Sequence, residues 1–258
     1  MALKALNILG VRIDAVSMQD VIEWVRNVIH AGALDRFILV VNVAKLVKAR
    51  EDDNLHRIIN EADLVAVDGM PLVWYSKLFP ECLPEKVSGI DIMMNMFHTG
   101  NNERWSFYFL GASEQVIQRV VSKLQEEYPG AIVAGFRNGY FGQDDESGIV
   151  NTIRKSGANI LLVGFGSPRK EIFVERWRGQ FGVNAIHGVG GSFDVYAGIT
   201  RRAPAWMQSA GLEWFYRLCQ EPFRLFSRYA VTNTKFLVLM LRDQLGILDR
   251  TASPVKRQ

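Results

Sequence analysis

At 258 residues the chain is long enough to bury a full core, as one large α/β domain or as a domain with a tail. Hydrophobic residues at 48% and charged residues at 22% are ordinary for a soluble globular protein, and a net charge of +3 is too small to indicate a nucleic-acid partner. The longest apolar run, Phe236 to Leu241, is too short to span a bilayer. Met1 to Leu6 carries no long apolar core and no cleavage site, so no signal peptide is expected. Cys82 and Cys219 stand in no metal-type spacing and are expected as reduced, buried thiols of a cytosolic protein.

In chain order, Ile8 to Ile13 reads as a short strand or hairpin arm. Ser17 caps a helix whose apolar positions Val21, Ile22, Val25, Val28 and Ile29 recur at helical spacing. Phe37 to Val41 is a strand, and Asn42 opens a turn into a helix through Leu46 and Val47. Leu64 to Val67, apolar and rich in β-branched residues, reads as a buried parallel strand. It stops at the turn pair Asp68–Gly69, and Pro71 follows where a helix can begin. Gly89 to Phe97 is a helix and Ser106 to Leu110 a strand closed by Gly111. Ser113 caps an amphipathic helix through Val116, Ile117, Val120, Val121 and Leu124. Ala131 to Ala134 is a strand that leads into the glycine-bearing loop from Phe136 to Gly142, and a helix follows to about Lys155. Asn159 to Gly164 is a buried strand, Pro168 to Arg178 a helix and Asn184 to Gly188 a last strand. From Ala203 the pattern is helical, with breaks near Gly211 and Pro222. The alternation predicts an α/β fold: a Rossmann-like, mostly parallel sheet with helices on both faces. It divides into a catalytic domain over 1–195 and a helical C-terminal appendage over 196–258.

Four loops are expected on the edge where open α/β sheets bind ligands. Asp68 stands at the end of its strand, where an acid can serve as a base or accept a sugar hydroxyl; the alternative is a helix-capping aspartate. Asn42 begins another loop. The third and fourth, Gly164 to Glu171 and Gly188 to Asp194, are glycine-bearing turns at helix starts, expected to flank Asp68 in the sheet. Free backbone N–H groups and the helix dipole favour an anion there, such as a diphosphate. Lys170 adds a mobile positive charge. Neither turn is a dinucleotide fingerprint, since no third glycine follows Gly164 and Gly166 at the required spacing, and there is no Walker A sequence. His30, His56, His98 and His187 are scattered, which argues against a zinc or iron site. No Gly-x-Ser-x-Gly elbow and no Asp-x-Asp pair is found, so backbone amides, Arg and Lys would have to neutralise a bound diphosphate.

The succession Ala62-Asp63-Leu-Val-Ala-Val-Asp68-Gly69-Met-Pro71, Glu85 to Asp91, and Gly166-Ser-Pro168-Arg-Lys-Glu171 continues with Gly188 to Gly198, Arg202-Ala-Pro204-Ala-Trp206 and Leu212 to Arg224. Together these resemble the WecG/TagA/CpsF glycosyltransferases, glycosyltransferase family 26, over about residues 7 to 245. The resemblance implies an inverting, metal-independent enzyme. It would move a hexose, N-acetylhexosamine or uronate from a UDP-sugar to an undecaprenyl-diphosphate-linked sugar at the cytoplasmic face of the membrane, in cell-surface polysaccharide synthesis. It implies that Asp68 is the general base. Asn42 lines the pocket, and Tyr140 and Asp194 contact the uridine. Gly190 and Gly191 admit the nucleotide to the backbone near Gly166, while Arg217 and Arg224 close over the diphosphates. Three positions depart from the family pattern: Val40 for threonine, Lys86 for arginine and Lys170 for glutamine, all at the implied donor and acceptor pocket.

The tail from Leu212 combines Trp214, Phe215, Phe223, Phe226, Phe236, Leu237 and Leu241 with arginines. A basic amphipathic helix lying in the headgroup plane has this make-up, as does a helix packed on the sheet domain or on a second subunit. The lipid-linked acceptor implied by the resemblance favours the membrane surface and a peripheral, cytoplasmic protein. A homo-oligomer is left open. Two other readings stand beside the transferase: a catalytically silent nucleotide-sugar-binding subunit, and a nucleotide-dependent oxidoreductase.

Overall fold

The computed structural model describes residues 3–247, apart from the side chains of Ser209, Arg224, Leu225, Ser227 and Arg228. The chain opens with an antiparallel hairpin, β1 (Ala5–Ile8) and β2 (Val11–Asp14). The next elements are α1 (Met18–His30), β3 (Arg36–Val41), α2 (Val43–Ala49), α3 (Asp53–Glu61), β4 (Leu64–Val67) and α4 (Met70–Ser76). After them come α5 (Gly89–Glu103), β5 (Ser106–Gly111), α6 (Glu114–Glu127), β6 (Ile132–Arg137), α7 (Glu146–Ser156) and β7 (Ile160–Gly164). The rest is α8 (Arg169–Trp177), β8 (Ala185–Gly188), α9 (Ser192–Tyr196), α10 (Ala205–Ser209), α11 (Glu213–Gln220) and α12 (Pro222–Gln244).

Strands β3 to β8 form one six-stranded sheet in the order β4-β3-β8-β7-β5-β6, parallel at every pairing. Side chains alternate across it, as the two-residue period of a strand requires. Phe37, Leu39, Val41, Val65, Val67, Leu161 and Val163 face one apolar layer, covered by α2, α3, α4, α7, α8 and part of α12. Ile38, Val40, Leu64, Ala66, Phe107, Phe109, Ile160 and Leu162 face the other, under α1, α5, α6 and α9. Because both faces are covered, the central strands read as continuous apolar runs. Helix starts follow local chemistry. Ser17 and Asp20 form a reciprocal capping box at α1, and Ser88 and Ser113 cap α5 and α6.

The sheet order corrects one expectation. β4 is an edge strand, so Asp68 does not lie between the two glycine turns; it stands to one side of them, in the order Asp68, Asn42, Gly188 turn, Gly164 turn. The exposed edge of β4 is closed by the hairpin, where the Asp14 carboxylate accepts a hydrogen bond from the Val65 N–H at 2.8 Å. Arg12 pairs with Asp14 at 2.6 Å and donates to the Ala62 carbonyl at 2.8 Å. A charged clamp of this kind protects an edge from pairing with another chain. The cysteines correct another: Cys82 and Cys219 are free thiols, but both are exposed, because they sit in a loop and in α11 rather than on a strand.

The last helix is anchored on the sheet side of the molecule. Phe236 of α12 is 5% exposed and packs in the first apolar layer, its ring 6.2 Å from that of Tyr75. The Tyr75 hydroxyl donates to Asp243, and α12 runs against α2.

Candidate active site

All six strands of the main sheet run the same way, so the loops after β3, β4, β7 and β8 share one rim. Asp68 extends the β4 ladder by donating its N–H to the Val41 carbonyl at 2.7 Å. Gly69 then turns the chain at φ +123°, a conformation that L side chains rarely adopt, and releases it into α4. The N-cap of α4 is Gly69, without a side-chain cap, so Asp68 is not a helix-capping aspartate. Its side chain is partly buried, and no described side chain hydrogen-bonds or ion-pairs with it.

Charged groups from four other segments converge on this carboxylate. Lys86, before α5, reaches Glu213 of α11 at 3.0 Å. Arg217, one turn further along α11, approaches the same Glu213 at 3.5 Å. Arg202, in the segment after α9, clasps Asp91 of α5 at 2.7 Å and lies 4.0 Å from Glu213. Burial pushes the Asp68 carboxyl above the usual carboxylate range; the charges of Glu213 and Asp91 push the same way, and Lys86 and Arg217 oppose them. Asp91 goes the other way. Burial would raise it, but hydrogen bonds from Arg202 and Ser88 hold it low. The outcome is a carboxylate of enhanced basicity at the rim, next to cations already engaged elsewhere.

A second charged group lies beneath the Gly188 turn. Lys45 and Lys170 share one carboxylate, Glu171, at 2.8 and 3.5 Å, and all three side chains are buried. Lys45 also donates to the Val40 carbonyl at 2.7 Å. Burial, together with the neighbouring Lys45, pulls the Lys170 ammonium down to about 8, although Glu171 partly restores it. The expected mobile charge is therefore a fixed one: the stem of Lys170 runs so close to Gly188 that a Cβ there would meet it at 2.9 Å. His187 is fully buried beside this group, with Nε2 2.9 Å from the Gly89 carbonyl, and burial pulls it down to about 4, so it is neutral.

A third feature is an open cleft of about 660 Å³ lined by Ala112, Tyr140, Gly142, Gly164, Phe165 and Arg169. The Arg169 guanidinium lies 5.0 Å from the ring centres of both Phe141 and Phe165 and donates to the carbonyls of Gly139 and Phe141. Tyr140 is 80% exposed on the rim of this cleft.

The other predicted residues fall as follows. Asn42 caps α2, accepting from the Lys45 N–H at 2.9 Å, and remains partly exposed at the rim. Val40 is buried in the apolar layer with Ala66. Gly166 is open: nothing lies within 4 Å of where its Cβ would be. Gly190 has φ +57°, and Gly191 precedes α9, which is a helix of only five residues. Asp194 stands on α9 and is not among the residues that line the Tyr140 cleft. Arg224 lies in α12, and its side chain is outside the described residues. Asp91, Arg202 and Glu213 are functional candidates that fall within the sequence motifs but have no role legible there. Their signal is the density of charge in Glu85–Asp91 and Arg201–Arg217, uninterpretable until the fold brings the two together. Among the described residues no group of three or more His, Cys, Asp or Glu side chains converges as a metal site would.

Comparison with known proteins gives one consistent answer. The model described as "Glycosyl transferase WecG/TagA/CpsF family" matches residues 6–250. A Bacillus subtilis protein named N-acetylglucosaminyldiphosphoundecaprenol N-acetyl-beta-D-mannosaminyltransferase is 32% identical over 203 residues, 77% of this chain and 78% of its own length. A Bacillus spizizenii protein of the same name is 28% identical over 208 residues, 81% of this chain and 79% of its own.

Proposed function

The chain belongs to the WecG/TagA/CpsF glycosyltransferase family, and from that premise we propose that it moves a sugar from a UDP-sugar to a polyprenyl-diphosphate-linked sugar, with inversion and without a metal. The relatives' names supply the acceptor class; the observation that carries the chemistry is the Asp68 carboxylate at the rim, unpaired among the described residues and ringed by Lys86, Arg202 and Arg217.

In this reading Asp68 takes the proton from the acceptor hydroxyl while that oxygen attacks the anomeric carbon. The bond from that carbon to the phosphate oxygen breaks, and UDP departs with the electron pair. Its diphosphate gains charge as it leaves, and the cations over Asp68 are placed to meet that charge. Tyr140 on its cleft offers an aromatic face for the base. The open approach at Gly166 and the turn at Gly190 and Gly191 offer room beside the fixed Lys170. Asn42 gives a polar surface to the acceptor side, while Val40, expected at the pocket, is buried in the sheet and offers it no side chain.

The acceptor is lipid-linked in this reading, and the tail supplies the matching surface. Residues 196–258 act as an appendage to the catalytic 1–195 region, with Trp214, Phe215, Phe226, Leu237 and Leu241 exposed and Phe223 almost wholly so. No described helix is long and apolar enough to cross a membrane; with a lipid-linked acceptor, a peripheral contact on the cytoplasmic face is part of this proposal. The test is a panel of UDP-sugars incubated with a short-chain polyprenyl-diphosphate-sugar and read by mass spectrometry. One donor should yield an acceptor heavier by one sugar; hydrolysis or oxidation of the donor with no transfer would contradict the assignment.

A further inference from the structure

Three cations and three carboxylates meet over the end of β4, yet the pairing is uneven. Asp91 has Arg202 in a bidentate clasp and a hydrogen bond from Ser88 as well. Glu213 has Lys86 and Arg217. Asp68, the carboxylate nearest the strand, is left without a partner of its own among the described residues. An aspartate flanked by a flexible lysine and two arginines would ordinarily capture one of them, and a captured carboxylate is a poor base. Something must hold the cations off.

We propose that Glu213 is the positioning residue that does so: from α11 it binds Lys86 and Arg217, holding them over the site while leaving the Asp68 carboxylate free to accept a proton. The inference rests on the reading of Asp68 as the base. Glu213 is suited to the task by its position. Lys86 and Glu213 are both largely covered, their side chains 14% and 17% exposed, so their 3.0 Å contact is only partly screened by water. The i,i+4 spacing of Glu213 and Arg217 fixes the second contact within one helix. Arg202 is already committed to Asp91, so it cannot replace either cation. The same arrangement gives the departing diphosphate a route to its counter-charges. An incoming phosphate oxygen competes with Glu213 for Lys86 and Arg217 rather than with the base itself.

Among the described residues the groups that face Asp68 are Lys86, Asp91, Arg202, Glu213 and Arg217, and of these only Glu213 both repels it and restrains two of its three cations. Removing the charge at Glu213 should therefore let Lys86 or Arg217 close on Asp68. A base must be unprotonated to act, so activity rises with pH through the Asp68 titration; in Glu213→Gln the rising limb should move to lower pH while kcat falls. Glu213→Asp should restore the limb in part.

The decisive readout does not need transfer: the Asp68 carboxyl carbon, labelled with ¹³C in the full-length chain, is titrated by NMR in the wild type and in Glu213→Gln. A midpoint moved to lower pH in the variant, with the same shift in the rate profile, is the expected result. An unmoved midpoint in a folded Glu213→Gln protein overturns the inference, whatever its activity. A moved midpoint with an unmoved rate limb removes Asp68 as the base, and with it the positioning role of Glu213.

Discussion

Asp63 and Asp68 stand at opposite ends of β4. Asp63 is 6% exposed, accepts from the Phe37 N–H at 2.9 Å and pairs with Arg36 and Arg178. Asp68 has none of these partners. Removing the Asp63 charge should cost about 1.5–3 kcal/mol, because it leaves donors unpaired. Asp68→Asn should leave the fold at least as stable, since no bond is lost and a charge disfavoured by burial is removed. Urea unfolding of the two variants measures both. A large loss in Asp68→Asn would mean that the carboxylate is a structural group. The pH dependence follows the same contrast. With its carboxyl pushed up by burial and by Glu213, Asp68 should give a rate that falls as pH drops through a midpoint above the usual carboxylate range. A rate flat down to the ordinary aspartate range would contradict that. Asp68 was legible in the sequence because a strand, a turn pair and a helix start are local signals. Glu213, Arg202 and Asp91 were not, because nothing in the spacing of residues so far apart states which charges will meet. Lys170 was legible as a charge but not as a buried one, since its burial depends on Gly188 of a different strand leaving room for its stem.

Most helices and strands were readable for the same reason that Asp68 was: apolar periodicity and serine caps are written within each segment; α3 was not, and β6 continues to Arg137, into the expected loop, by pairing with β5. The order of strands was not, and neither was the edge position of β4, which follows from long-range pairing. Helix α12 shows where local and distant information divide. Its amphipathic pattern is plain in the sequence, but its anchor, Phe236 against Tyr75 with Asp243 on the tyrosine hydroxyl, joins segments far apart. Phe236→Ala removes a buried ring and should cost about 3–5 kcal/mol of the docking of α12. Hydrogen exchange is the measurement. Faster exchange confined to α11 and α12, with β3, β7 and β8 unchanged, is expected; uniform acceleration across the sheet would show that the helix is integral to the core.

Taken as one body, the molecule has a sheet rim where the proposed base stands and a helical tail that brings Glu213 and Arg217 to it and also exposes aromatic side chains. Phe223 and Phe226 are the exposed pair nearest the start of α12. If the tail lies on anionic lipid, replacing both with serine removes about 1.5–3 kcal/mol of insertion each, or roughly tenfold or more in vesicle affinity per ring. Binding of the wild type to anionic vesicles should also weaken as salt rises. Sedimentation with vesicles of anionic and neutral composition reads both effects, and equal binding by the double variant would leave the tail without a membrane role. The proposed reaction depends on one carboxylate, and the deciding measurement is Asp68→Asn, with sugar transfer and UDP binding measured on the same preparation. Transfer should be lost while UDP binding stays at the wild-type level; transfer at an undiminished rate would contradict the account.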